Sequence, residues 1–110
     1  MTPRVTSEFW VKAYLTRLRV MNIPAFLTSR GDATAGAVLV KINTLDGNAQ
    51  AFQRSYDTEG NRIWVPLAEG TEADVDESLA RQRKYDPDIW TIEVEDKQGR
   101  SLLDQDGLSG

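Results

Sequence analysis

The sequence predicts an α+β fold: an N-terminal helix, an antiparallel four-stranded meander, a second helix and a fifth strand, with both helices packed on one face of the sheet. Three observations lead there. A stretch of helical periodicity opens the chain, four short strand-like runs separated by Gly, Asp and Asn follow, and a charge-ordered helical stretch then precedes a strictly alternating run.

The first helix is expected to start after Ser7 as N-cap, with Glu8 in the first turn, where the helix dipole favours an anion. Trp10, Val11, Tyr14, Leu15, Leu18 and Met21 recur at spacings of three and four and form one apolar face. Lys12, Thr16 and Arg19 line the opposite face, with Arg17 at the margin. Asn22 suits a left-handed stop and Pro24 cannot extend the helix.

The runs PAFLTSR, GAVLVKIN, AQAFQR and RIWVPL read as four strands. Their separators GDATAG, TLDGN and SYDTEGN are turn-forming and short, which favours hairpins between neighbours. AVLV is the most continuously apolar run and belongs at the centre of the sheet, covered on both faces. A second helix opens at TEAD with Thr71 as cap. Glu72, Asp74, Asp76 and Glu77 lie early in it, and Arg81, Arg83 and Lys84 late, in the order the macrodipole favours. Val75, Leu79, Ala80 and Tyr85 are its candidate core residues, and Pro87 ends it. In IWTIEVED, Trp90, Ile92 and Val94 point one way and Thr91, Glu93 and Glu95 the other. SLL is expected to return as a short strand, and residues 105–110 as a frayed tail of a single domain spanning residues 1–110.

Composition narrows the chemistry. With no Cys and no His among 110 residues, thiolate catalysis, a Ser-His arrangement and a zinc site with imidazole or thiolate ligands are all excluded. No apolar run approaches the roughly 20 residues of a membrane span, and the N-terminus lacks a secretory h-region, so a cytoplasmic address is expected. The net charge of −4 is unevenly spread, the first half being basic and the second acidic.

The succession WVKAYLTRL, RGDATAGAVLVKINTLDG, RQRKYDPDIWTIEVED and GRSLLD resembles, over nearly the whole chain, a family of short bacterial proteins catalogued as domain of unknown function 1491. The resemblance implies a small bacterial cytoplasmic protein and carries no activity, ligand or catalytic residue with it.

Four residues are the candidate binding site: Arg30 and Asp32 of the RGD tripeptide, and Asp86 and Asp88 around Pro87. An adhesion role fails on the absence of a secretory route. A phosphate cradle fails because the glycine-bracketed loop leads into a strand and not a helix. The loop is therefore read as a turn, with Arg30 and Asp32 free to pair across it, and the Asp-Pro-Asp stretch as a helix stop. Lys41 is expected to extend to water past its strand end.

The function expected from these residues is that of a small non-enzymatic binding or adaptor module. It would meet a protein partner or a second copy through an uncovered sheet face or an edge strand, with no cofactor, no metal, no membrane and no DNA. One alternative is a divalent-metal enzyme or ligand binder built on the carboxylate and Arg residues just named. RNA binding through Lys12, Arg17 and Arg19 is the weaker alternative, since Trp10 and Tyr14 belong to the apolar face.

Overall fold

The computed structural model describes residues 5–104. Helix α1 spans Ser7–Val20, followed by strands β1 (Ala25–Ser29), β2 (Val38–Asn43), β3 (Asn48–Tyr56) and β4 (Arg62–Thr71), helix α2 (Glu72–Tyr85) and strand β5 (Trp90–Glu95). The α+β class and the element order agree with the sequence. The sheet order is β1-β5-β2-β3-β4. β2, β3 and β4 form the expected antiparallel meander, but β1 does not join it through β2. The last strand enters between them instead, antiparallel to β1 and parallel to β2, so the sheet is mixed.

The cause lies in the loop after β1. Its backbone bonds to the segment preceding β5, not to β2: the Asp32 amide donates to Asp88 O at 3.0 Å and the Trp90 amide to Ala37 O at 2.8 Å. Side-chain alternation in β1 is satisfied equally by either neighbour, so sequence pattern alone does not choose between them.

β2 is central and every one of its residues is buried. Val38, Val40 and Ile42 point to one face, where Trp90, Ile92 and Val94 of β5 join them beneath Trp10, Val11, Tyr14, Leu15 and Leu18 of α1. Leu39 points to the other face and packs with Ala49, Ala51, Val75, Leu79 and Ile89 under α2. The two helices therefore cover opposite faces, which corrects the expected one-sided arrangement. A strand apolar on both faces needs a cover on each, and the chain has two helices to supply them.

Local signals are mostly realised, with small shifts. Thr6, not Ser7, caps α1, accepting from the Phe9 amide at 3.1 Å. Ser7 is buried and its hydroxyl donates to Gly36 O at 2.6 Å. Asn22 takes the left-handed conformation at φ 60°, and Thr71 caps α2 by accepting from the Asp74 amide. Ala80 and Tyr85 of α2 are exposed, so its buried stripe is only Val75 and Leu79. Ser101–Leu103 is not a strand. Leu102 and Leu103 are nevertheless buried against the α1 core, and Tyr14 donates its hydroxyl hydrogen bond to Ser101 O at 2.8 Å. The expected tail at residues 105–110 lies outside the described residues. Among the described residues no helix is long and apolar enough to cross a membrane.

Candidate functional site

The four residues singled out in the sequence sit around one backbone clamp. Asp32 Oδ2 accepts from the amides of Thr34 and Ala35 at 3.2 and 2.9 Å, closing the turn. Its carbonyl accepts the Trp90 indole N–H at 2.7 Å. Asp86 caps α2, and its Oδ1 accepts from the Asp88 amide at 3.1 Å. Asp88 contributes its carbonyl to Asp32, as above. The clamp explains both glycines: a Cβ on Gly31 would lie 2.2 Å from Asp88 O, and one on Gly36 would lie 2.4 Å from the same atom. Two peptide chains touch there with no room for a side chain between them.

Arg30 turns away from this loop. Its guanidinium lies over the Trp90 ring at 5.4 Å and bonds Glu8 Oε1 at 3.2 Å, so it does not pair with Asp32. The clamp thus brings Asp32, Asp86 and Asp88 together mainly through amides and carbonyls. Among the described residues no group of three His, Cys, Asp or Glu side chains could hold a metal ion.

Lys41 differs from its expected position. It lies in the middle of the sheet on the α2 face, 3 % exposed. Its ammonium meets Asp76 Oδ1 at 2.7 Å, Glu72 Oε1 at 2.9 Å and Glu93 Oε1 at 3.0 Å. Asn43 Nδ2 also donates to Glu72 Oε1, at 3.1 Å. The reason is register. Lys41 pairs with Glu93 across β2 and β5 and with Ala51 across β2 and β3, and α2 lies over it, so no path to the strand end is open. Burial alone would lower the pKa of this ammonium. Hydrogen bonds to Asp76, Glu72 and Glu93, with the charge of Glu93, outweigh that and hold it above the ordinary lysine value. Lys41 is therefore a permanent cation at neutral pH and unsuited to act as a base or an amine nucleophile.

Three carboxylates about one ammonium leave a surplus of negative charge. Two of them line a groove of about 310 Å³ between α2 and β1, with Lys41, Thr91 and Glu93 on its floor and Asp76, Arg83 and Thr28 on its walls. Beside the groove, β1 pairs with β5 alone and is one edge of the sheet. Pro24 O accepts from the Glu95 amide, so antiparallel alternation turns the polar backbone groups of Phe26 to Glu93 and those of Ala25 and Leu27 outward. Phe26 and Leu27 are 51 % and 40 % exposed on this edge.

The first helix offers less to a nucleic acid. Trp10 and Tyr14 are buried, and Lys12 is paired with Glu8 at 3.0 Å.

A family model described as a protein of unknown function (DUF1491) matches residues 5–104. The chain belongs to this family. A crystal structure of a DUF1491 family protein from Caulobacter crescentus CB15 is similar to it at 36% identity and a TM-score of 0.84, covering 92% of this chain and 96% of that one. An NMR structure of a DUF1491 family protein from the same organism is similar at 35% identity and a TM-score of 0.81, covering 94% and 96%. The solution structure of protein Atu0922 from A. tumefaciens shares the fold at 24% identity and a TM-score of 0.72, over 84% of this chain and 86% of that one. No match is found among curated proteins. The sequence resemblance to the DUF1491 family is thus borne out over the stretch that carries the clamp, the Lys41 groove and the β1 edge.

The Lys41 cluster was hidden in the sequence because its acids come from two elements, Glu72 and Asp76 one helical turn apart on α2 and Glu93 on β5. A usable signal existed nonetheless. A lysine within an otherwise apolar central strand, facing a glutamate-bearing strand, has to be matched by acid.

Proposed function

We propose that the chain is a non-enzymatic binding module that takes an extended, basic segment of a partner protein along the free edge of β1. The observation that carries this reading is the edge itself: outward-facing backbone groups of Ala25 and Leu27 flanked by the exposed side chains of Phe26 and Leu27. An added strand would satisfy those groups and cover apolar surface in one step. The charge beside the groove favours this occupant, since Glu72, Asp76 and Glu93 exceed Lys41 and Arg83 by one charge and a Lys or Arg side chain of the segment would enter beside them.

The test uses two synthetic nine-residue probes, one alternating Lys and Val and the other alternating Glu and Val, titrated against labelled protein by amide NMR. The Lys probe is expected to move the resonances of residues 25–29 saturably and the Glu probe to leave them unmoved. Leu27→Pro removes an outward amide without touching the ladder to β5 and is expected to abolish the effect. Equal shifts from both probes, or none from either, would overturn the reading. A concentration-dependent dimer in light scattering that Leu27→Pro dissociates would assign the edge to a second copy instead.

A further inference from the structure

Helix α1 carries a second apolar stripe on the side turned away from the sheet. Trp10, Val11, Tyr14, Leu15 and Leu18 form the buried stripe. Phe9, Ala13, Thr16 and Val20 form the outer one, and all four are exposed, Phe9 at 62 % and Val20 at 74 %. Their spacings of four, three and four are those of the core positions of a heptad, and at about 100° per residue they fall within about 60° of one another. A helix that served only to cover a sheet would carry polar and charged residues there.

The stripe lies in an open groove of about 540 Å³, lined by these four residues together with Lys12 and Arg17. The Thr16 hydroxyl donates to Lys12 O at 2.9 Å, so covering Thr16 strands no polar group. In the heptad frame that the stripe sets, Lys12 and Arg19 run along one flank and Arg17 along the other. Lys12 shares its charge with Glu8 at 3.0 Å. Arg17 and Arg19 have no carboxylate within ion-pair distance among the described residues. The exposed flanking positions are thus all cations.

We propose that this face of α1 docks an amphipathic helix of a partner protein, apolar along its seam and acidic on its flanks. Width argues against a lipid surface, because an interfacial helix needs a broad apolar face and a stripe this narrow matches the seam of a helix pair. The net charge of −4 also opposes an anionic surface. Flanking charge argues against a second copy. Pairing the stripe with its own counterpart sets Lys12 against Arg17 if the helices are parallel and Lys12 against Arg19 if they are antiparallel. A helix with acids at those places meets each cation with an anion. The site lies across the sheet from the Lys41 groove and stands independently of the function proposed for the β1 edge.

Two synthetic three-heptad peptides test this, both with Leu at the core positions and Ala elsewhere, one with Glu and the other with Lys on its flanks. Each is titrated against the labelled protein by amide NMR. The Glu peptide is expected to shift the resonances of residues 9–20 saturably and to bind there at least tenfold more tightly than the Lys peptide. Because the β1 edge is read at residues 25–29, success or failure at one site does not stand in for the other. Ala13→Glu places a carboxylate in the middle of the seam and, Glu being a good helix former on an exposed face, should leave the fold intact. It is expected to weaken the Glu peptide at least tenfold. Arg17→Gln combined with Arg19→Gln should reduce the preference for the Glu peptide to threefold or less. Unmoved resonances at residues 9–20, equal binding of the two peptides, or indifference to Ala13→Glu would overturn the proposal. So would a peptide-free dimer that Ala13→Glu dissociates, or a stronger response of residues 9–20 to a short polyuridine RNA or to phosphatidylglycerol vesicles than to the Glu peptide.

Discussion

Two cations, Lys41 and Arg54, are drawn into the two faces of one sheet and treated in opposite ways. Lys41, on the α2 face, is fully matched by three carboxylates within 3.0 Å. Arg54, on the α1 face, rests on an indole ring and has a buried N–H with no acceptor. The difference teaches how to separate structural from available polarity. A satisfied buried charge holds elements together, here α2 to β2 and β5, whereas an unsatisfied one is held by its surroundings and has capacity to spare.

Substitution should expose this contrast. Lys41→Met leaves Glu72, Asp76 and Glu93 facing one another without their cation and is expected to cost about 3 kcal/mol in urea unfolding, as when one partner of a buried ion pair is removed. Asp76→Asn removes the shortest of the three contacts but leaves two acceptors, and Asp76 is half exposed, so a loss of about 1 kcal/mol or less is expected. Arg54→Leu, by contrast, deletes an unmatched donor and a ring contact together, and unfolding free energy should stay within about 0.5 kcal/mol of the parent. A cost for Arg54→Leu equal to that of Lys41→Met would erase the distinction.

Alkaline titration sharpens the same point. Hydrogen bonds to carboxylates hold the Lys41 pKa above the usual lysine value, and burial raises that of the Tyr14 hydroxyl. Both groups bind their proton more tightly in the fold than in the unfolded chain, so their contribution is complete below a pH of about 10 and declines as pH rises through the folded values. Stability measured from pH 8 to 12 should fall at the alkaline end. The fall should be smaller in Tyr14→Phe and in Lys41→Met, each of which removes one of the two groups. At the acid end the opposite sign applies to Asp96, whose carboxyl is held low by its hydrogen bond to Arg100. Its contribution is present above the ordinary aspartate value and lost as pH falls below it.

The sequence disclosed local structure far better than pairing. Both helices, their caps to within one residue, the Asn22 stop and the burial of AVLV could all be read, because each depends on neighbours along the chain. The place of β5 could not, since β1 carries no pattern that distinguishes β2 from β5 as a neighbour. Misplacing β5 also hid the Lys41 cluster, because Glu93 reaches Lys41 only through the β2–β5 register. Alternation revealed which side chains share a face, as with Trp90, Ile92 and Val94, but not that α1 and α2 would take different faces. The orphaned donors on Trp10 and Arg54 lie further still from sequence, because a missing acceptor becomes visible only once every neighbour is in place.

The insertion of β5 between β1 and β2 also sets a schedule for synthesis. While the ribosome has released the chain only through α2, β1 has no strand to pair with and β2 presents a bare, largely apolar edge. The sheet can close only when β5 arrives and slots into the middle, so the nascent chain carries that adhesive edge unpaired until β5 has emerged.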